Sequence, residues 1–414
     1  MSNTLLTIGM ITRRALMVLE NNLSFTKQVN RQYDDRFAVS GAKIGTSLDI
    51  RIPPRYTVTT SVGLSAQDAT ETKTTLTLSN QHHVDLSFTS QDLTLSIDDF
   101  SDRFIQPAIA ALANKIDATG LAEYVNIYNA VGTPGTTPAS SSGSPDTAAN
   151  ALFTFAKAMA KLDHEATPRD NMRAIVIDPT CQSFLVPALS GLFHSSTEVE
   201  QQYKTGNMGL ALGAKFSMDQ NVYSHTVGPL GGTPLMNGST TSGATTLVTD
   251  GWTASAASRL KAGDVFTIAN VYAVNPQSRV STGQLRQFVV TADVSSDSSG
   301  NATIPVSPAV ISSGAFQTVN SLPADNAAIT VLGAASTVTP QNLAFHRDAF
   351  TLACVDLEMP GGVDWAARVS SKKLGISMRM VRQYDINNDA FPCRVDVLYG
   401  WKTVRPSLAC RIAG

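Results

Sequence analysis

The side chains of this chain that could act on a substrate or hold an ion fall into a few small groups. His82 and His83 are adjacent imidazoles, a common metal-ligand type, but they sit in an alternating stretch, and neighbouring side chains on a strand point to opposite faces. His164 and Glu165 have the make-up of an acid/base dyad at what reads as a helix end, where a cap or a solvated pair accounts for them. Asp385, Asn387, Asn388 and Asp389 look like the start of a calcium loop, yet the Gly of the sharp turn and the distant bidentate Glu are missing, so the segment reads as a hairpin turn. Asp98, Asp99 and Asp102 gather three carboxylates at a helix start, where they complement the dipole. The functional alternative is a salt-bridge surface toward basic residues such as Arg51 and Arg55 of a neighbouring copy.

No P-loop, GxGxxG, HExxH or GxSxG pattern occurs, so no catalytic residue, cofactor or metal is expected and the chain does not read as an enzyme. Cys181, Cys354, Cys393 and Cys410 lack CxxC spacing and read as free, buried thiols in a reducing compartment. Lys and Arg are not interleaved with aromatics, which leaves sequence-specific nucleic-acid binding without support.

At 414 residues the chain exceeds one ordinary core and should form two or more domains. It is 43% hydrophobic and only 15% charged, a charge-poor balance that points to surface covered by other subunits. Residues 1–60 carry 8 basic against 4 acidic side chains, whereas residues 61–225 carry 9 against 17. Basic ends and an acidic middle can attract one another between copies. No basic and apolar leader opens the chain and no run of about 18 apolar residues spans a membrane, so the expectation is a protein made in the cytoplasm, with no membrane contact.

The elements that must position these residues follow in order. Leu5, Ile8, Ile11, Ala15, Val18 and Leu19 paint one apolar stripe on a helix over residues 3–22, followed by a polar connector over 27–36. Alternation predicts strands over 46–55, 74–79 and 84–89, with a polar excursion between the first two. A long helix is expected over 98–129, bent near Pro107 and weakened at Gly120, and at about 1.5 Å per residue it would span about 45 Å. Residues 132–145 read as a flexible low-complexity linker. A helix capped by Asp146, a buried strand over 172–177 and a helix initiated at Asp178 indicate a compact α+β domain. Residues 226–340, rich in Gly, Ser, Thr, Val and Pro, read as an inserted small β-barrel or sandwich. Strands over 375–384 and 393–400 form an antiparallel hairpin that closes a sheet begun much earlier.

With these segments in place the chain resembles a phage major capsid protein of the P22-like group, which has the HK97-like fold. Four C-terminal segments carry the resemblance: Asn342-Leu-Ala-Phe-His-Arg-Asp-Ala-Phe, Gly375-Ile-Ser-Met-Arg, Arg394-Val-Asp-Val-Leu-Tyr-Gly and Arg405-Pro-Ser-Leu-Ala. The order of parts extends it along nearly the whole chain. The resemblance implies an α+β fold with an N-terminal arm at 1–40, an extended β-loop at 41–81 and a peripheral domain with a spine helix at 82–145. It further implies an axial domain at 146–225, an inserted β domain at 226–340 and a return to both domains at 341–414. It implies hexamers and pentamers of a self-assembling icosahedral shell around double-stranded DNA, with non-specific DNA contact, a scaffolding protein and a portal as partners, and it admits a decoration protein outside. No Lys and Asn match the pair that crosslinks HK97 itself, so the shell is expected to be noncovalent. The competing class is a surface adhesion protein whose β module binds carbohydrate.

Overall fold

The computed structural model describes residues 17, 19, 23–31, 45–60, 62–64, 66–68, 71–89, 106–141, 144–145, 148–189, 209–255, 258–371 and 375–414. Two compact units emerge, one from Met1–Arg51, Lys73–Gly120 and Phe350–Val404, the other from Ile52–Thr72, Leu121–Ala349 and Arg405–Gly414.

In the first unit the alternating C-terminal stretch becomes the centre of a five-stranded antiparallel sheet. Ala390–Thr403 is its 14-residue middle strand. One edge takes Ile376–Arg382 and then Phe350–Val355; the other pairs with all 10 residues of Asn80–Thr89. Trp365–Ser371 lies outside Ile376–Arg382. Period two sorts the side chains as it must: Ile376, Met378, Met380, Val395 and Val397 are buried, while Arg379 and Arg394 project from the opposite face. Ser47–Ile52 and Thr72–Thr77 form a separate two-stranded sheet whose Leu48 and Leu76 pack with Leu78 and Ala353.

Helix α1, Gln106–Leu121, buries Ile109, Leu112, Ala113 and Ile116. It ends earlier than the periodicity of 98–129 predicts. Ala122–Asn126 is a 3-10 turn and the chain is extended at Ile127, because it must feed the short strand Ala130–Gly132. Residues 98–105 of the expected helix lie outside the described residues, as do Asp98, Asp99 and Asp102.

Gly120 stands one residue before α1 ends, where the sequence expects the helix to weaken, and it is also a fitted position. A Cβ there would stand 2.7 Å from the Trp401 ring and 2.8 Å from Phe25. Phe25 packs on Trp401 and Phe350 with ring centroids 5.3 and 5.4 Å apart. Gly120→Ala should therefore destabilise this unit by about 1–3 kcal/mol despite the better helix propensity of Ala. A thermal melt reads the sign directly, and a rise in Tm would contradict the fit.

The N-terminal segment is tied to the same helix. Asp117, buried in α1, accepts hydrogen bonds from the backbone N–H groups of Ser24 (2.7 Å), Phe25 (3.3 Å) and Thr26 (3.0 Å), and from the Thr26 hydroxyl (2.5 Å). Leu23, Phe25 and Val29 are buried. Of the helix expected over 3–22, only Met17 and Leu19 lie among the described residues.

The second unit holds a seven-stranded mixed sheet in the order Ala130–Gly132, Ala409–Ala413, Val338–His346, Arg173–Ile177, Ala214–Met218, Leu210–Ala211, with Ser224–Thr226 also paired to Val338–His346. Helices α2, Ala148–His164, and α3, Pro179–Leu189, contribute Phe155, Leu162 and Leu185 to a core with Ile175, Ile177, Phe216, Ala344 and Ile412. The Asp178 carboxylate accepts the N–H groups of Thr180 and Cys181 at 3.0 and 3.2 Å, a side-chain cap for α3. Asp146 lies outside the described residues.

Between Ser224–Thr226 and Val338–His346 the chain makes a six-stranded antiparallel sheet, Gly232–Met236, Ala244–Trp252, Ala302–Val310, Ser281–Val290, Val265–Val274, Ile329–Val331. Its two ends approach closure through the Leu235–Ala328 bridge and the Met236 N–H donated to Ala327 O at 2.9 Å. Phe266, Ile268, Phe288, Val290, Ile304 and Val306 fill the interior. The strands entering and leaving this barrel pair with each other, His225 opposite Thr339, so the module begins and ends at adjacent points of the larger sheet.

The stretch 132–145 differs from the flexible linker its composition predicts. Thr136 N–H bonds Thr133 O, Ser140 N–H bonds Thr137 O, and Gly135 N–H donates to Thr339 Oγ1 at 2.7 Å. Ser140–Ser141 pairs with Ser144–Pro145, and Ala139 is buried. Gly, Pro and Ser here build tight turns.

Candidate functional site

The groups with apparent chemical potential are accounted for by packing. His82 and His83 fall on the strand Asn80–Thr89 and diverge as expected. His82 lies edge-on to Tyr399 with centroids 5.5 Å apart, and its pKa is lowered first by desolvation; His83 Nδ1 is 2.9 Å from Asp85. The Asp385 carboxylate accepts Asn387 N–H at 3.0 Å and Asn388 Nδ2–H at 2.7 Å, which makes the segment a side-chain-stabilised turn. Among the described residues no group of three or more His, Cys, Asp or Glu could hold a metal ion. All four thiols are free and buried, and burial raises the pKa of each, pushing Cys393 to about 11 and Cys354 and Cys410 to about 12. Thiols so placed are inert at neutral pH. No described helix is long and apolar enough to cross a membrane.

Glu165 departs from its expected role. It is neither a cap nor solvated: it is buried and 2.6 Å from Arg286 Nη1, whose guanidinium stacks over Tyr128 at 4.4 Å. Burial pushes the Tyr128 pKa up to about 12, which keeps the phenol neutral. A second cluster joins Tyr124, His225 and Asp264. The Tyr124 hydroxyl lies 2.9 Å from His225 Nδ1, and His225 Nε2 lies 2.8 Å from Asp264 Oδ1. Asp264 Oδ2 also accepts the N–H groups of Gly228 and Lys261. Since a carboxylate only accepts, Nε2 carries the proton in this contact. Both clusters fasten the barrel to the rest of the second unit, and Tyr124 and His225 also line an open cavity of about 360 Å³ together with Ser224 and Lys261.

Asp163 sets a pH-dependent contact in the same unit. Its carboxylate is 2.7 Å from the buried Arg173 guanidinium and also bonds Arg169, and the Arg169 hydrogen bond, followed by that from Arg173, lowers its pKa. A depressed carboxylate stabilises the fold above its unfolded pKa, about 3.9, and that stability disappears as pH falls through the folded value. Asp163→Asn should thus lower Tm by more at pH 7 than at an acid pH below the unfolded value of about 3.9, the gap narrowing as pH falls through the lower folded value. Parallel melting curves separated by the same interval at both pH values would contradict it.

In the first unit the polar residues of the closing strands meet at Asp396, which is wholly buried. Arg379 binds it through Nε (3.0 Å) and Nη2 (2.5 Å), Gln81 donates from Nε2 at 3.1 Å, and Arg394 Nε stands 3.3 Å away. This is a structural hub of the sheet.

The candidate site is a surface. In residues 56–64, Val58 is 89% exposed, Val62 110% and Leu64 99%, with Tyr56 half-exposed beside them. Within a single copy Val58, Val62 and Leu64 have little or no burial, although a folded chain ordinarily scatters its exposed apolar residues. The loop is nonetheless built: the Gln67 amide accepts from Thr57 N–H at 2.8 Å and donates to Thr57 O at 2.5 Å, closing it. At its base Arg279 donates to Tyr56 O at 2.5 Å and Arg55 lies over Phe316 at 5.8 Å. Arg51 and Arg55 are both exposed. Sequence alternation located neighbouring strands but did not single out Val58, Val62 and Leu64; the available signal was three aliphatics in a Thr- and Ser-rich stretch.

A family model described as "P22 coat protein - gene protein 5" matches residues 5–414. No curated protein matches the chain. Among solved structures, that of Mycobacterium phage Che8 is similar at 14% identity, covering 94% of this chain and 90% of that one, with a TM-score of 0.47. The capsid of Ralstonia phage GP4 is similar at 7% identity, covering 94% and 87%, with a TM-score of 0.49. The capsid of Cyanophage P-SCSP1u is similar at 12% identity, covering 92% and 88%, with a TM-score of 0.44.

Proposed function

The chain belongs to the P22 coat protein family, and from that premise we propose that it is the subunit that builds the icosahedral shell of a tailed double-stranded DNA phage. It is a phage coat protein and a component of the virion; hexamers and pentamers as its assembly units are part of the proposal. The observation that carries the reading is the loop at 56–64, folded at its base yet with Val62 and Leu64 wholly in solvent. Apolar area left open in every copy is an associating surface, and its burial contributes roughly 25 cal/mol per Å². Modest contacts repeated around a closed shell add through multivalency.

The same reading divides the chain into an arm at 1–40, an extended loop at 41–81, a spine and peripheral domain at 82–145, an axial domain at 146–225, an inserted domain at 226–340 and returning strands at 341–414. A purely structural role, with no enzymatic activity, is part of the proposal. A scaffolding protein and a portal are the expected partners during assembly in the host cytoplasm, with non-specific contact to packaged DNA and an outside face open to a decoration protein. Nothing in the family match favours a carbohydrate-binding role for the barrel.

Arg51 and Arg55 are proposed to meet Asp98, Asp99 and Asp102 of a neighbouring copy. If so, Arg51→Glu combined with Asp98→Arg restores assembly that each change alone weakens, with effects of about 0–1 kcal/mol per contact multiplied around the shell. Additive losses in the double variant would remove this pairing. The function itself is tested by sedimentation velocity across a concentration series. Closed, fast-sedimenting particles above a critical concentration are expected, and a monomer at every concentration, with or without coexpressed phage genes, would overturn the reading.

A further inference from the structure

The geometry points to a second task for the inserted barrel: it guards the open edge of the large sheet in its own unit against strand addition. Ala130–Gly132 is the last strand of that sheet and pairs on one side only, parallel to Ala409–Ala413. Arg411 N–H donates to Asn129 O at 2.8 Å, so in this parallel ladder the N–H and C=O of Ala130 point away from the sheet. An edge of this kind is a template for pairing with another chain.

The Gln287 side chain fills that position. Its Oε1 accepts Ala130 N–H at 2.9 Å and its Nε2 donates to Ala130 O at 2.7 Å, the two bonds that a further strand would make. Gln287 lies on the barrel strand Ser281–Val290, and Val289, two residues on and on the same face, packs with Tyr128 and Ala130. The preceding residue, Arg286, is held by Glu165, and Lys161 Nζ donates to Gln284 Oε1 at 3.3 Å. The barrel is thus pinned in a place where one carboxamide acts as a strand one residue long. A subunit that must stay soluble at high concentration before it associates correctly has use for such a seal, but the inference concerns the folded single chain and stands apart from the shell-building role.

The experiment uses the full chain, unassembled, and follows turbidity and amyloid-dye fluorescence over time. Gln287→Ala should aggregate severalfold faster than the parent. Adding Ala130→Pro should return it to the parental rate, because proline removes the outward N–H, leaves the Arg411 ladder bond in place and blocks strand addition. Unchanged aggregation of a folded Gln287→Ala variant would overturn the proposal. So would aggregation that Ala130→Pro fails to suppress, or failure of both variants to fold, since the amide would then hold the fold instead of guarding the edge.

Discussion

A Val62→Asp, Leu64→Asp variant is expected to fold as the parent does and to fail to form shells. Both side chains stand in solvent, so replacing them removes no packing within the chain, and surface changes of this kind lie within about 0.5 kcal/mol in stability. In an assembled shell the same positions would be covered. Each aliphatic side chain loses about 1.5–3 kcal/mol of burial, and the carboxylate introduced in its place must also be desolvated or left unpaired. Even about 3 kcal/mol per contact raises the concentration needed for association roughly a hundredfold. Unchanged circular dichroism and Tm together with loss of the fast-sedimenting peak is the expected pair of results. A variant that assembles at the parental concentration would remove the loop from the associating surface.

The second large effect belongs to Asp396. Removing a wholly buried carboxylate leaves the Arg379 guanidinium without its two-pronged partner in the middle of the sheet and takes away the hydrogen bond from the Gln81 amide. Breaking one side of such a pair costs about 3–5 kcal/mol, most of it the penalty of the stranded charge. Asp396→Ala should therefore unfold its unit at a markedly lower urea concentration and yield little soluble protein. Replacing Asp396 and Arg379 together by apolar residues should recover much of the loss, because the isolated charge is then gone. A drop below about 1 kcal/mol in the single variant would mean that solvent reaches the pair.

What the sequence made legible was whatever leaves a local period. The strands Ile376–Arg382 and Ala390–Thr403, the helix Ala148–His164 and the strand Arg173–Ile177 each bury one face, or all, of a regular element, and alternation or composition betrays them within a few residues. The barrel was visible because its turns require Gly, Ser and Pro and its strands require Val and Ile. Pairings between distant segments leave no such mark. Glu165 finds Arg286 across 121 positions of sequence, and Gln81 finds Asp396 across 315. The close fit at Gly120 leaves no mark for the same reason, since the Trp401 ring that needs its missing Cβ lies far along the chain. The turn-rich stretch after Gly132 reads as flexible because composition specifies which turns a segment can make but not which partners fix them. The candidate surface was half legible: the excursion between the first two strands was evident, but the full exposure of its aliphatic side chains was not. Of the proposed contacts, Asp98, Asp99 and Asp102 lie outside the described residues, and Arg51 and Arg55 are exposed.

The central claim is that association between copies supplies the burial that the loop lacks, and electron microscopy of the purified chain, alone and coexpressed with the neighbouring phage genes, tests it most directly. The account predicts closed, uniformly sized shells in which the 56–64 loop is covered by an adjacent subunit; monomers under both conditions, or particles with that loop in solvent, would contradict it.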